Sequence, residues 1–119
     1  MTLEEYFSTG PSFERPVFDA VMAHLNTLGE PFLEPVSVGM FVKRDGVGVL
    51  QLRPMTKWVA LCLFMPRTVH DRRISRKPIP AGRVVYHVIN MHGPDDVDDV
   101  VKGWITEAWE ASYGSGGSR

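Results

Sequence analysis

Five basic side chains crowd one short stretch in the middle of this chain, and their chemistry is the first that the sequence offers. They lie within eleven positions: Arg67, Arg72, Arg73, Arg76 and Lys77. Guanidinium groups present a planar fork of donors that matches phosphate or carboxylate oxygens, and one loop can bring several of them to a single anion. The pattern predicts an anion site for a phosphate-bearing ligand, a nucleic-acid backbone or an acidic protein. The alternative is a solvated loop that pairs with the protein's own acidic segments.

The charge distribution along the chain fits both interpretations. Residues 1–42 carry six acids and one base, residues 43–87 ten bases and two acids, and residues 88–119 six acids and two bases. A basic middle between acidic ends suits either an anionic partner or complementarity within the molecule. Arg53, Lys57 and Arg83 lie at expected strand ends and join the anion site if those ends face the loop. Nucleic acid is the less favoured polyanion, because the chain as a whole is slightly acidic and no nucleic-acid-binding motif occurs.

A second candidate surface comes from two aromatic residues near the C-terminus. Trp109 and Tyr113 are one turn apart on the expected last helix, well round it from Trp104, which belongs to the apolar stripe. An exposed Trp–Tyr pair is typical of an interface and predicts a protein-interaction surface or a homodimer. The alternative is that a short N-terminal helix covers the pair with Tyr6 and Phe7.

The sequence contains no catalytic constellation, and we predict no catalytic residue, no metal site and no cofactor. No nucleophile elbow, glycine-rich phosphate loop or zinc-protease motif occurs. His87 and His92 point to opposite faces of one expected strand, whereas a metal site needs three or four converging ligands. Cys62, the single cysteine, lies in an apolar run and is interpreted as a small buried hydrophobe. An enzyme site built from the 67–82 loop and the strand ends is the least favoured alternative.

Helices at both ends of the chain are expected to position these groups. Residues 2–5 have the form of a capping box that begins a short helix. A second helix is expected over about 12–28, with a proline in its first turn and one apolar face, and Gly29 ends it. The segment 93–95 opens the last helix, whose first turns carry aspartates that suit the helix dipole.

Four strands are expected between the helices. Apolar and polar residues alternate in the first, and Asp45-Gly46 predicts a two-residue turn into the second. The third is apolar on both faces and is expected at the centre of the sheet. In chain order the expected strands run over 36–43, 47–53, 58–65 and 83–91. The order α-α-β-β-β-β-α predicts an α+β fold, a four-stranded antiparallel meander sheet with two N-terminal helices and one C-terminal helix.

Several stretches resemble one small bacterial family. The most specific stretch is Gly93 to Trp109, and the others are Arg72 to Ile74, Pro80 to Val88 and Leu3 to Phe7. Together they resemble the family catalogued as domain of unknown function 5655, over roughly residues 3–113. The resemblance implies a small α+β domain without an established activity, and it carries no catalytic residue over to this chain.

We expect one α+β domain over residues 1–113 and a flexible Gly/Ser tail over residues 114–119. The N-terminus lacks the pattern of a signal peptide and no apolar run is long enough to span a bilayer, so we expect a soluble, cytoplasmic protein without a membrane partner. The expected function is a non-catalytic binding or protein-interaction module. The alternative is an anion- or nucleic-acid-binding domain that uses the basic loop 67–77.

Overall fold

A six-stranded antiparallel sheet forms the centre of the protein. The computed structural model describes the backbone of residues 2–8 and 10–117, and the side chains of these residues up to Ser112. In chain order the strands are β1 (Phe32–Val36), β2 (Gly39–Arg44), β3 (Val47–Pro54), β4 (Val59–Met65), β5 (Ile79–Ala81) and β6 (Val84–Met91). Their order across the sheet is β1-β2-β3-β4-β6-β5. The α+β class is confirmed, but the predicted number of four strands is wrong.

The two unpredicted strands are the two edges of the sheet, and each contains a proline. In β1, Pro35 lies opposite Met40, and in β5, Pro80 lies opposite Val85. Proline has no N–H to give to a ladder, so in a sequence it reads as a strand break. An edge strand tolerates it, because one side of that strand has no neighbour to bond. The predicted long loop 67–82 therefore contains an edge strand.

The first predicted strand is also divided. Val36 is the last residue of β1 and pairs with Gly39, the first residue of β2, so a two-residue turn interrupts the expected run 36–43. The predicted turn at Asp45-Gly46 is present, and both residues have positive φ angles, 50° and 80°. This left-handed pair is the backbone that a tight hairpin with right-handed strand twist requires.

The helices are α1 (Leu3–Ser8), α2 (Glu14–Leu28) and α3 (Asp99–Gly117), with a 3₁₀ turn at Pro94–Asp96. The predicted capping box is present, because the Thr2 N–H donates to Glu5 Oε1 at 3.2 Å and the Glu5 N–H to Thr2 Oγ1 at 3.1 Å. Segment 93–95 opens the 3₁₀ turn and not α3 itself. The backbone of α3 extends through residues 114–117, which were expected in the tail. Among the described residues, no helix has the length and apolarity needed to cross a membrane.

Helices α2 and α3 pack together, and with one face of the sheet they enclose the core. Strand β4 shows this division, because Leu61 and Leu63 are fully buried on the helix side while Cys62 and Phe64 are only half-buried on the other. Strand β4 lies between β3 and β6, which agrees with its predicted central place. Its second face is not covered by α2 or α3. We call this second face the open face of the sheet.

Candidate anion-binding site

The basic loop does not act as one cluster, because part of it is paired with α3. Arg67 donates from Nε to Glu107 Oε2 at 2.8 Å and from Nη2 to Glu107 Oε1 at 3.0 Å. This bidentate geometry is the strong form of an arginine–carboxylate contact. The Glu107 carboxylate accordingly raises the pKa of Arg67. Arg67 therefore ties the segment after β4 to the last helix.

Arg73 is held in a second contact with the start of α3. Its Nη1 donates to Asp98 Oδ2 at 2.7 Å, its Nε lies 3.2 Å from Asp71 Oδ1, and its guanidinium lies 5.4 Å from the centre of the Trp104 ring. The backbone N–H of Val101, with Arg73 as a smaller contribution, holds the pKa of Asp98 below its usual range. Arg73 is thus surrounded by partners within the fold, and two carboxylates, those of Asp71 and Asp98, compensate its charge.

The other three side chains of the loop are exposed. Arg72, Arg76 and Lys77 form no ion pair with any described residue. They also do not share one site, because Arg76 lines a depression on the open face and Arg72 lines another near the end of β6. The structure therefore places the five predicted anion-binding residues in at least three different settings.

The depression beside Arg76 has a volume of about 210 Å³. Three neighbouring strands form its floor, because Cys62 on β4 lies opposite Val88 on β6 and opposite Gln51 on β3. Ala60 adds a further small side chain to the floor. The rim residues are Arg53, Met55, Arg76, Ile79 and Tyr86. We call this the Cys62 depression.

Two guanidinium groups flank the Cys62 depression from different parts of the chain. Arg53 lies near the end of β3, opposite Ala60, and Arg76 lies between the bridge at Ile74 and strand β5. Like Arg76, Arg53 is exposed and forms no ion pair with a described residue. The sequence had suggested that strand-end bases join the loop, and Arg53 is the one that the fold brings beside Arg76.

Aromatic and apolar side chains close one side of the Cys62 depression. Tyr86 packs against Phe64 on the neighbouring strand, with ring centroids 4.8 Å apart. Phe64 in turn lies over Gly48, where an added Cβ would come within 2.5 Å of the ring. Ile79 on β5 lies opposite Tyr86 and is 51% exposed. The site therefore combines an apolar wall with two cationic side chains, as a ligand with an anionic group and an apolar body requires.

The thiol on the floor is not set up as a nucleophile. Burial raises the pKa of Cys62, and the charges of Arg53 and Arg76 have a smaller, opposite effect. A reactive cysteine needs the reverse balance, in which nearby cations outweigh desolvation. Cys62 thus contributes a small, neutral surface, close to its predicted role as a buried hydrophobe, although it is half-buried rather than fully enclosed.

A protein-family model matches nearly the whole chain. The sequence model of a family described as domain of unknown function (DUF5655) matches residues 3–112. The chain belongs to this family. No curated protein matches the sequence, and no solved structure matches it. The function of this DUF5655 member is therefore inferred from its own side chains.

His87 and His92 of this DUF5655 domain have different surroundings. His87 is buried, and the N–H of Val69 donates to its Nε2 at 2.9 Å, which leaves the proton on Nδ1 to donate to the Val85 carbonyl at 3.0 Å. His92 is exposed, on the other face, beside the Trp58 ring at 6.1 Å between centroids. Among the described residues no three His, Cys, Asp or Glu side chains converge on one point.

The predicted exposure of Trp109 is wrong. Trp109 is only 4% exposed and belongs to the core. Its ring contacts Gly29, where an added Cβ would lie 2.7 Å from Cζ2, and the Arg44 guanidinium lies 4.7 Å from the ring centre. The indole is thus covered by the end of α2 and by strand β2. The alternative interpretation had predicted that the N-terminal helix covers it. The side chain of Tyr113, the other predicted interface residue, lies outside the described residues.

Proposed function

We propose that this domain is a non-catalytic binding module whose ligand occupies the Cys62 depression. The ligand class is a small molecule that joins a carboxylate or phosphate group to a compact apolar body. The observation that carries the proposal is that two guanidinium groups without a described ion-pair partner, Arg53 and Arg76, lie above a floor that includes Ala60, Cys62 and Val88. This deepens the predicted anion-binding alternative and moves its centre from the loop to the open face.

The charges around the depression favour an anion because no described carboxylate neutralises them. Two other arginines of the loop are neutralised within the fold. Arg67 pairs with Glu107 on α3, and Arg73 pairs with Asp71 and with Asp98 just before α3. No carboxylate of a described residue pairs with Arg53 or Arg76. Arginine forms bidentate, charge-assisted hydrogen bonds to both carboxylate and phosphate groups. An anion on the open face would complete the contacts that these two side chains lack.

The size of the depression limits the ligand. A volume of about 210 Å³ is below the range of roughly 300–1,000 Å³ that is usual for drug-sized ligands. The apolar wall of Tyr86 and Ile79 suits a small aromatic or branched aliphatic body. A polynucleotide would use only one phosphate at this site, so nucleic acid is an outcome of the test below and not the proposal.

The residues around the depression support binding rather than catalysis. Among the described residues that line it there is no Asp, Glu or His to act as a general base. The thiol of Cys62 has a raised pKa and is therefore neutral at physiological pH. Efficient acid–base catalysis needs a group whose pKa lies near the operating pH, within reach of the substrate. We accordingly place no catalytic residue here.

The protein-interaction interpretation loses its main observation. It rested on an exposed pair, Trp109 and Tyr113, and on the charge asymmetry of the sequence. Trp109 is buried, and the acidic last segment is tied to the basic middle through the Arg67–Glu107 and Arg73–Asp98 pairs. The asymmetry is thus used, at least in part, within the molecule.

The test is a titration followed by ¹⁵N–¹H NMR, with benzoate and phenyl phosphate as probes and benzamide as the neutral control. We expect saturable shifts in the amides of Cys62, Tyr86 and Val88 with the two anions and none with benzamide. A hydrogen bond to a charged group contributes about 1.5–3 kcal/mol, so Arg53→Gln and Arg76→Gln should each weaken binding about tenfold or more.

Lys77→Gln is the matched control, because it removes one exposed positive charge next to Arg76 without touching the depression. Its affinity for benzoate should stay within about twofold of the wild type after correction for ionic strength. Equal weakening by Lys77→Gln and Arg76→Gln would mean that only the general field attracts anions. Shifts that are absent, or that appear with single-stranded DNA but not with the small anions, would refute the proposed ligand class.

A further inference from the structure

A second site lies where α1 meets α2, around the side chain of Glu14. Glu14 is the first residue of α2, and it is only 2% exposed. Its Oε2 accepts a short hydrogen bond from the Tyr6 hydroxyl. Its Oε1 has no hydrogen-bond partner among the described residues. Every other buried side-chain oxygen or nitrogen of the described residues has a partner.

A buried carboxylate oxygen without a donor is costly. Leaving one such group unpaired costs about 1–3 kcal/mol, and more when the group is charged. Native proteins therefore satisfy nearly all buried polar atoms with protein, water or ligand. The unpaired oxygen of Glu14 calls for a hydrogen-bond donor that the described residues do not supply.

A cavity of about 280 Å³ is lined in part by Glu14. It is bounded by residues of α1, of the turn before α2 and of the β1–β2 hairpin: Glu5, Tyr6, Gly10, Pro11, Glu14, Val36, Ser37, Gly39 and Pro54. A Cβ added to Gly10 would lie 2.7 Å from Glu14 Oε1 and 3.8 Å from the Tyr6 carbonyl oxygen. The lack of a side chain at Gly10 thus lets the Glu14 carboxylate lie close to the backbone of this turn, near the Tyr6 carbonyl at the end of α1.

The electrostatic character of this cavity is negative. Two carboxyl groups line it, Glu5 and Glu14, and no Lys, Arg or His is among the described residues that do so. The Thr2 N–H and hydroxyl keep the pKa of Glu5 below its usual range, so this carboxylate is charged at neutral pH. Hard metal ions take six or more oxygen ligands, and no group of three His, Cys, Asp or Glu converges here among the described residues. An ammonium group, with three donors and one charge, needs fewer acceptors.

We propose that the cavity bounded by Tyr6, Gly10 and Glu14 binds the primary ammonium group of a small amine. In this arrangement the ammonium donates to Glu14 Oε1 and to the Tyr6 carbonyl oxygen, and Glu5 adds a second negative charge. Tyr6 holds the Glu14 carboxylate in place through Oε2 and leaves Oε1 for the ligand. The site is separate from the Cys62 depression, since the two share no lining residue.

Proton uptake at Glu14 competes with the ammonium. Burial raises the pKa of Glu14, with the Tyr6 hydroxyl acting in the opposite direction. The titratable groups that face it are Tyr6 and Glu5 on α1, and the described lining residues from the β1–β2 hairpin and the end of β3 are not titratable. Because a bound cation favours the ionised carboxylate, affinity should increase as the pH rises through the pKa of Glu14.

The experiment is a ¹⁵N–¹H NMR titration of the full chain with methylammonium, compared with tetramethylammonium at equal ionic strength. Tetramethylammonium has the same charge and no N–H donor. We expect saturable shifts at the amides of Gly10, Glu14 and Gly39 with methylammonium alone, and stronger binding at pH 7.5 than at pH 5. This comparison uses the wild-type protein, so it does not depend on the folding of a variant.

Variants then identify the acceptor. Glu14→Gln keeps the shape and an acceptor for Tyr6 but removes the charge, and Gly10→Ala fills the space beside Oε1. Each should weaken methylammonium binding about tenfold or more, because a charged hydrogen bond is lost. Asp19→Asn, an exposed acid paired with Arg15 on α2, should bind as the wild type does. The proposal is overturned if methylammonium gives no saturable shift, if tetramethylammonium binds equally well, or if a folded Glu14→Gln variant binds unchanged.

Discussion

Replacing Gly29 by alanine should destabilise the domain through a single contact with Trp109. Gly29 follows the last residue of α2, and its N–H donates to the Leu25 carbonyl oxygen at 3.2 Å. Its φ of 166° is extended and open to any residue, so the backbone does not require glycine. The obstacle is the indole, because a Cβ at this position would lie 2.7 Å from Trp109 Cζ2.

The size of the destabilisation depends on how far the Trp109 ring can move away from the new Cβ. Trp109 is 4% exposed, and Arg44 donates from Nη1 to its carbonyl oxygen at 3.0 Å while the guanidinium lies against its ring. A rigid ring in such a setting moves only by displacing its neighbours, and overpacking of this kind costs about 1–3 kcal/mol. For a domain of this size, that corresponds to a melting temperature lower by about 4–12 °C.

The assay is urea unfolding of four proteins: the wild type, Gly29→Ala, Trp109→Leu and the double variant. The smaller side chain of Trp109→Leu leaves room for the new Cβ, so Gly29→Ala should cost little in that background. In that background alanine also restricts the unfolded chain, an effect that contributes about 0.4–1 kcal/mol of stabilisation. The coupling energy of the cycle should therefore be about 1–3 kcal/mol.

Two results would refute this reasoning. If Gly29→Ala is neutral in the wild-type background, the indole moves freely and is not fixed by Arg44 and the core. If the substitution costs the same with and without the indole, the penalty comes from the end of α2 itself. Unchanged m-values across the four proteins are required for either conclusion.

Three further predictions concern the basic loop, the buried carboxyl and the core. Arg73→Gln should lower the melting temperature by several degrees more than the adjacent Arg72→Gln, because of the two only Arg73 forms ion pairs with described residues. Equal effects of the two substitutions in thermal unfolding would contradict this. The raised pKa of Glu14 means that the folded state keeps a proton after the unfolded chain has lost it, so this group makes stability fall as pH rises from about 4.5 through its folded pKa. Urea unfolding of Glu14→Gln at several pH values should lack this decline, and an identical pH profile would exclude it. Leu61→Ala on β4 should cost about 2–5 kcal/mol in urea unfolding, since the side chain is fully buried in the core, and a loss below about 1 kcal/mol would show that the site collapses around the cavity.

Local patterns in the sequence were sufficient for much of the fold. Residues adjacent in sequence predicted three features correctly: the capping box at residues 2–5, the turn at Asp45-Gly46, and the central place of the run that became β4. Each depends on interactions within a few residues or on the hydrophobic character of one segment. The same reasoning failed at β1 and β5, because a proline reads locally as a break and only the finished sheet shows that both strands are edges.

The candidate site was predicted less completely. The loop supplied Arg76, and the sequence suggested that Arg53 joins it if the strand ends face the loop. It could not distinguish the paired arginines, Arg67 and Arg73, from the unpaired ones, because their carboxylate partners Glu107 and Asp98 are 40 and 25 residues away. Charge counts report how many basic residues a segment holds, whereas pairing depends on which helix packs over it.

The sequence by itself determined that this chain makes an α+β domain, that one long helix precedes the strands and another follows them, and that α2 has one buried apolar face. These properties follow from side-chain periodicity, capping and turn chemistry, which act over short distances along the chain. Only the tertiary structure decided that Trp109 is covered, that Glu14 is buried with one oxygen unpaired, and that Arg53 and Arg76 flank one depression. Those properties arise from contacts between segments far apart in sequence, and such contacts leave no local pattern until the chain has folded.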